Sequence, residues 1–123
     1  MHKKFLKLYY FIDEFKKGII DKQSINTSII YRNYKKKYKT TEIIYIRDYC
    51  RKKNIKFFLS NNIKLSLSLN LDGAYLPSFN ESLTHLNYNF KNNFKLIGSA
   101  HNLREIRIKE KQNVSLIFLS SIF

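Results

Sequence analysis

The stretch FFLSNNIKLSLSLNLDGAYLPS, residues Phe57 to Ser78, decides which fold class this chain adopts. It begins with an apolar run, continues through two asparagines, and then alternates apolar and polar residues from Ile63 to Leu69. On local grounds a β-hairpin is the better prediction, because asparagine tolerates the positive φ of a tight turn and strict alternation is typical of a half-buried strand. A helix beginning near Asn61 is also compatible, since Ile63 and Leu67 would share a face. Both alternatives stay open on these residues alone.

On both sides of this stretch, short apolar runs alternate with segments of helical pattern. The clearest helix is predicted over Thr41 to Lys53, where Ile43, Ile46 and Cys50 share one face and Thr40 or Thr41 is the expected cap. Short strands that alternate with helices of about a dozen residues are typical of a parallel sheet with helices outside it. The predicted strands are Leu8 to Ile12, Ser28 to Tyr31, Ile55 to Leu59, Leu71 to Leu76, Lys95 to Gly98 and Val114 to Leu119.

Two further helices are predicted from capping boxes, in which a capping residue is followed three places later by Glu. The first would run from Ser78 toward Phe90, and the second from Asn102 to Gln112. In the second helix we expect Leu103 and Ile106 to face inward.

Length and composition limit the class of protein. The 123 residues are enough for one domain, and we predict a single domain over residues 1–123. With 44% hydrophobic and 26% charged residues, the chain resembles neither a disordered tail nor a membrane protein, and no run approaches the roughly 18 apolar residues that a membrane span needs. We therefore expect a cytoplasmic protein with no membrane partner.

The charge balance is strongly basic, with 23 Lys and Arg against 9 Asp and Glu and a formal net charge of +14. Such a field attracts polyanions, including nucleic acid and phosphorylated small molecules. Heavy use of Lys, Asn, Ile, Phe and Tyr is also what an AT-rich genome imposes, so the excess has a compositional explanation as well. A basic nucleic-acid-binding module is the non-enzymatic alternative, and we rank nucleic acid below a phosphorylated small molecule as the partner.

Four stretches in order along nearly the whole chain resemble the thiamine phosphate synthase and TenI family of TIM barrels. The resemblance makes Ile63 to Leu69 helical, against the local preference for a hairpin. It implies a partial TIM barrel of about six parallel βα units of the (β/α)8 fold. The stretches are IIYRNY (Ile29 to Tyr34), FFLSNNIKLSLSLNLDGAYLPS (Phe57 to Ser78), IGSAHNLREIRIKEKQ (Ile97 to Gln112) and LIFLSSIF (Leu116 to Phe123).

The family chemistry, as the resemblance implies it, couples a hydroxymethylpyrimidine pyrophosphate to a thiazole phosphate in thiamine biosynthesis. Pyrophosphate leaves first, and the thiazole nitrogen captures the resulting pyrimidine cation. Such a transferase needs a clamp for a highly charged leaving group, which is normally Mg²⁺ on carboxylates together with Arg and Lys. In a TIM barrel these groups sit at the carboxyl ends of the strands.

The resemblance implies substrate contacts for six residues, which are Arg32, Lys35, Ser60, Asn61, Asn80 and Ser99. Arg32 matches the Arg after the second strand and would face the pyrophosphate, a role that suits a guanidinium fork. Tyr34 stands where the family has a Lys, and Lys35 is the candidate to replace it. Ser99 matches the Ser of the fifth strand.

The metal positions depart from the family pattern. Ser60-Asn61 occupies the place of an Asn-Asp pair, and Asn80 stands where the second metal carboxylate is expected. The resemblance implies Mg²⁺, but Asn61 and Asn80 weaken that implication, because an amide oxygen carries no charge and Mg²⁺ is usually held by one or two carboxylates. No metal ligand is assigned, and retained, altered and lost synthase activity all stay open.

His101 matches the His that TenI-type thiazole tautomerases use for proton transfer, so a tautomerase is the enzymatic alternative. A catalytically silent barrel that binds a phosphorylated ligand is another. An eight-stranded barrel takes about 200 residues, whereas this chain stops after its sixth predicted strand. We expect a chain truncated before its last two βα units, since it ends on the apolar Ile122-Phe123; otherwise two open sheet edges must be covered, for which a homo-oligomer is one route.

Overall fold

The computed structural model describes residues 7–119, which form an α/β fold of alternating strands and helices. The sheet has six strands whose order follows the chain, as in a (β/α)8 barrel, and the predicted fold class is confirmed. The final residues of the LIFLSSIF stretch, from 120 onward, lie outside the described residues. The strands are β1 (Leu8–Ile12), β2 (Thr27–Tyr31), β3 (Phe57–Ser60), β4 (Gly73–Leu76), β5 (Lys95–Ala100) and β6 (Leu116–Leu119). The helices are α1 (Lys17–Asp21), α2 (Thr40–Lys52), α3 (Ile63–Ser68) and α4 (Leu103–Lys111), and a 3₁₀ turn covers Thr84–Asn87.

The segment that decides the fold is helical, so the hairpin alternative is wrong and the resemblance was the better guide. The side chain of Asn62 caps α3 by accepting a hydrogen bond from the Leu65 N–H at 3.0 Å. Leu67 then packs on the core cluster of buried residues that includes Ile63 and Leu76. The alternation of apolar residues was misleading because a capped turn and tertiary packing outweigh a short local pattern.

By internal contacts the chain divides into two compact units, the first ending at Phe58 and the second beginning at Leu59. The single-domain prediction over residues 1–123 stays a prediction. In the first unit β1 and β2 pair in parallel, from Leu8 opposite Thr27 to Ile12 opposite Tyr31.

Helix α2 packs with its predicted apolar face, and Ile43, Ile46 and Cys50 are all fully buried. The prediction of a threonine cap is wrong, because the N-cap residue is Lys39 and no side chain caps the first turn. Glu42, in the first turn, instead accepts a hydrogen bond from the Tyr31 hydroxyl. Burial and this bond together raise the pKa of Tyr31.

In the second unit β4, β5 and β6 pair in parallel, with Leu76 opposite Gly98 and Ser99 opposite Phe118. The helix predicted from Ser78 toward Phe90 is wrong, since only the short 3₁₀ turn forms there. An α-helix would need the Asn80 carbonyl to accept the N–H four residues on, but that carbonyl accepts side chains from α4 instead.

Asparagines end three of the helices in the same way. Asn54, Asn70 and Asn113 follow α2, α3 and α4 with φ of 58°, 56° and 63°. Asparagine is among the few residues that tolerate this left-handed conformation, which lets the next N–H bond back to the helix as in a Schellman motif. The closing bonds are Ile55 N–H to Cys50 O at 2.8 Å, Leu71 N–H to Ser66 O at 3.0 Å and Val114 N–H to Lys109 O at 3.1 Å.

Candidate functional site

In the first unit, the predicted substrate-binding residues follow β2. The Arg32 N–H donates to the Ile12 carbonyl at 2.8 Å, and the guanidinium carbon lies 4.1 Å from the centre of the Phe11 ring. This cation–π contact holds a guanidinium that is exposed to solvent. Lys35 is exposed, and its N–H donates to Asn33 Oδ1 at 3.0 Å in a tight turn. Both residues therefore present cations at the carboxyl end of a strand.

In the second unit, two of the predicted residues touch directly. Asn61 follows β3 with φ of 63°, and its N–H donates to the Tyr75 carbonyl at 2.7 Å. Asn80 follows β4, and its Nδ2 donates to Asn61 Oδ1 at 2.7 Å. The two asparagines are thus joined side chain to side chain, and we call them the amide pair.

Side chains at the C-terminal end of α4 hydrogen-bond to the loop that carries Asn80. Lys109 Nζ and Gln112 Nε2 each donate to the Asn80 backbone carbonyl at 2.9 Å. Gln112 Nε2 also lies 3.3 Å from Asn80 Oδ1 and donates to the Ser82 carbonyl at 3.0 Å. Lys109, in α4, and Gln112, at the C-cap of α4, are both fully buried. The loop after β4 is therefore fixed by polar groups, which hydrogen-bond well only in a narrow geometry.

The path of Lys109 to the amide pair depends on a glycine. A Cβ at Gly98 would lie 2.9 Å from Lys109 Cδ and 2.8 Å from the Leu76 carbonyl oxygen. Because there is no side chain at this position of β5, the lysine stem can pass over Gly98 and reach the Asn80 carbonyl. Burial lowers the pKa of Lys109, and the charges of Glu105 and Glu81 oppose that shift.

Ser99 and Ser60 lie within strands. The Ser99 hydroxyl hydrogen-bonds to the Tyr75 hydroxyl, and the Tyr75 ring stacks on Phe118 at 6.2 Å between ring centres. Ser99 is half-buried, whereas Ser60, in β3, is fully buried. Ser99 is thus placed to offer a hydroxyl to a ligand, while Ser60 has no exposed surface to do so.

His101 lies just after β5 and pairs with a carboxylate on α4. Glu105 Oε1 accepts the His101 N–H at 2.7 Å and lies 3.0 Å from His101 Nδ1. The backbone hydrogen bond from His101, strengthened by the ring, lowers the pKa of Glu105 against the effect of desolvation. The predicted cap is confirmed, because Asn102 Oδ1 accepts the Glu105 N–H at 2.9 Å. A carboxylate on Nδ1 favours the tautomer in which Nε2 is free to accept a proton.

Lys109 and Gln112 were not predicted from the sequence, and of the two residues expected to face inward from α4 only Ile106 is half-buried. Leu103 is 62% exposed, so the prediction that it faces inward is wrong. The buried residues instead share a face with Glu105 at helical spacing. The signal was available in Gly98, because a glycine inside a strand often marks a close approach by another group.

A resident divalent cation does not fit the donor set at the amide pair. Asn61 Oδ1 already accepts Asn80 Nδ2, and Asn80 Oδ1 accepts the Ser82 N–H at 2.9 Å. Neither oxygen carries a charge, and the Lys109 ammonium lies against the same loop. Within residues 7–119 no three His, Cys, Asp or Glu side chains cluster as a metal would require.

A comparison with protein families decides the affiliation of the chain. The family described as thiamine monophosphate synthase matches residues 20–123. The chain belongs to this family. No curated protein sequence matches it significantly.

Among solved structures, the fold of this thiamine monophosphate synthase family member is similar to that of a thiamine phosphate pyrophosphorylase from Pyrococcus furiosus. The TM-score is 0.65 at 22% sequence identity, and the match covers 96% of this chain. It covers 61% of the archaeal chain, so the present chain spans less than two thirds of the length of the protein it matches. None of the helices between residues 7 and 119 has the length and apolar character to cross a membrane.

Proposed function

We propose that this chain binds the phosphorylated precursors of thiamine and couples a hydroxymethylpyrimidine pyrophosphate to a thiazole phosphate. The observation that carries the proposal is the amide pair. The family resemblance matches Asn61 and Asn80 to site positions after β3 and β4, and their side chains are in direct contact. Their amide N–H groups and the Ser99 hydroxyl are donors that suit phosphate oxygens.

The proposed reaction is a substitution at the pyrimidine methylene carbon. The bond from this carbon to the pyrophosphate oxygen breaks, and the electron pair leaves with the pyrophosphate. The thiazole nitrogen then donates its lone pair to the carbon, so no proton has to move. The protein's task is to stabilise the departing charge, for which the Arg32 fork is suited, and the net charge of +14 favours encounter with anionic substrates.

Calorimetric titration with each precursor, together with detection of thiamine phosphate, tests this proposal. We expect saturable binding of the pyrimidine pyrophosphate that Arg32→Gln weakens by about tenfold to a hundredfold, the effect of removing hydrogen bonds to a charged group. Arg51→Gln is the matched control, because it removes the same charge from the exposed part of α2. Absence of binding for both precursors, or equal losses in the two variants, contradicts the proposal.

Thiazole tautomerase activity is the second candidate, and the pairing of His101 with Glu105 favours it. In this reaction Nε2 would take a proton from one position of the thiazole and return it to another. His101→Ala should then lower turnover by about a hundredfold or more, and Glu105→Gln should lower it less. If His101→Ala leaves tautomerase turnover unchanged, this candidate is wrong.

The cytoplasmic location and a phosphorylated small molecule as partner remain parts of the proposal. The nucleic-acid alternative makes a different prediction, which is affinity that falls steeply between low and physiological salt. Weak binding that is indifferent to sequence and is lost by about 0.2 M salt would assign the charge to background composition.

A further inference from the structure

The amide pair differs from a metal site because both of its side-chain oxygens already accept hydrogen bonds. A Mg²⁺ ligand oxygen must direct a lone pair at an ion about 2.1 Å away. In this chain Asn61 Oδ1 faces the Asn80 amino group at 2.7 Å, so a donated proton occupies the space between the two side chains. Asn80 Oδ1 in turn accepts the Ser82 N–H at 2.9 Å. A dication would have to displace these donors while gaining only neutral oxygens.

A fixed cation lies against the same loop. Lys109 Nζ donates to the Asn80 carbonyl at 2.9 Å, and the side chain is fully buried. The acidic groups that face it are Glu105, on its own helix, and Glu81, in the loop after Asn80. Neither carboxylate bonds to Lys109. Glu105 instead accepts a hydrogen bond from the His101 N–H, and Glu81 accepts one from the Arg104 guanidinium. The loop after β4 therefore has a buried ammonium bonded to it, at the position where the resemblance to the family implies a divalent cation.

We propose that the amide pair is closed to divalent cations and that Lys109 supplies the fixed positive charge at this position in place of a metal. Lys109 is a positioning residue, since it acts through the Asn80 carbonyl and is covered from solvent. Exclusion of the cation follows from the geometry alone, whereas the part that Lys109 plays toward a phosphate rests on the proposed function. The ligand class is a phosphate or pyrophosphate bound by amide donors, with no bridging ion.

Titration of the whole chain with Mn²⁺ alone, followed by the paramagnetic resonance of free Mn²⁺, tests this proposal without any thiamine precursor. We expect the wild-type chain to show no saturable binding up to millimolar Mn²⁺. Asn61→Asp with Asn80→Asp should create a saturable site, because each change supplies a carboxylate. Adding Lys109→Met to this double variant should tighten Mn²⁺ binding by tenfold or more, since the repelling charge is removed.

Matched controls separate these effects from general changes in charge. Asn70→Asp introduces a carboxylate at another left-handed asparagine, and Lys111→Met removes a lysine from the exposed face of α4. Neither control should change Mn²⁺ binding. Thermal denaturation monitors folding, and Lys109→Gln replaces Lys109→Met if the methionine variant does not fold.

Three results overturn the proposal. The first is a wild-type Mn²⁺ site that Asn61→Ala removes, and the second is a double aspartate variant without any Mn²⁺ site. The third is equal tightening by Lys109→Met and Lys111→Met. Failure of the proposed function has a separate signature, which is the absence of precursor binding in the calorimetric titration.

Discussion

Helices α2 and α4 have the same place in their βα units, yet they bury opposite kinds of surface. The buried face of α2 is apolar, with Ile43, Ile46 and Cys50 fully covered. The fully buried residues of the α4 segment are polar, with Lys109 in the helix and Gln112 at its C-cap. The first arrangement removes apolar surface from water, whereas the second must satisfy hydrogen bonds at a cost in desolvation.

The difference indicates that some buried residues of this chain stabilise the fold, whereas others fix the geometry of the candidate site. An apolar face stabilises the fold, because each buried side chain contributes transfer free energy. A polar face stabilises little on balance, but it fixes the loop it reaches, because hydrogen bonds depend on direction. We therefore expect changes in α2 to affect stability and changes in α4 to affect the amide pair.

The largest expected effect is in α2. Ile46→Ala should lower the free energy of unfolding by about 2–5 kcal/mol, because it removes buried methyl groups and leaves a cavity. The measurement is chemical denaturation. Ile25→Ala is the matched control, since Ile25 is 89% exposed and its removal should change stability by about 0.5 kcal/mol or less. Equal effects at the two positions would remove the distinction between the helices.

The second largest effect is expected at Gly98, where the side chain of Lys109 passes over β5. Gly98→Ala should destabilise by about 1–3 kcal/mol, because the new Cβ meets Lys109 Cδ and the Leu76 carbonyl. Lys109→Ala should relieve only part of this loss in a double-mutant cycle, since the backbone contact remains.

Gly18→Ala is the control for that glycine, because a Cβ there meets no atom within 4 Å. Gly18 lies in α1, where alanine is the better helix former, so this change should stabilise by about 0.5–1 kcal/mol. Destabilisation of the same size at both glycines would show that the close approach at Gly98 is not the cause.

A smaller effect on stability is expected for Lys109→Met. The change relieves the desolvation of an ammonium, and the Asn80 carbonyl keeps Gln112 Nε2 as a donor. The free energy of unfolding should therefore change by about 1 kcal/mol or less, measured by denaturation beside Ile46→Ala. A loss as large as that of Ile46→Ala would mean that α4 stabilises the fold as α2 does.

The smallest expected effect is a pH dependence at the start of α4. Hydrogen bonds from His101 lower the pKa of Glu105, so its folded-state pKa lies below its unfolded value. Such a group contributes stability above the unfolded pKa, and that contribution is lost as the pH falls through the folded pKa. The melting temperature of Glu105→Gln should fall below wild type at neutral pH and converge with it in acid. Glu110→Gln, which is exposed, should show no such convergence.

Local patterns predicted the positions of the strands, the apolar face of α2 and the Asn102 cap. The order of the strands in the sheet was implied by the family resemblance. The hairpin prediction failed at Ile63 to Leu69, where a capped turn and packing override alternation. The helix from Ser78 failed because Asn80 bonds to residues far along the chain. No local pattern reports such contacts, so they can be found only once the strands are placed.

The residues of the candidate site were proposed from the family resemblance, whereas the residues that hold them in place were not predicted. Arg32, Lys35, Asn61, Asn80, Ser99 and His101 were found through the family resemblance, and their roles stay predictions. Lys109 and Gln112 were missed because periodicity arguments assign buried helix positions to apolar residues. A lysine that faces a glycine in the strand preceding its helix is a pattern that would have indicated the contact.

The most direct test is anomalous diffraction from crystals of the whole wild-type chain grown in millimolar Mn²⁺. We expect no anomalous peak between Asn61 and Asn80, and we expect Asn80 Nδ2 to be within hydrogen-bond distance of Asn61 Oδ1 with Lys109 Nζ on the Asn80 carbonyl. A Mn²⁺ ion bound by the two asparagine oxygens, with Lys109 turned away, would contradict the assignment.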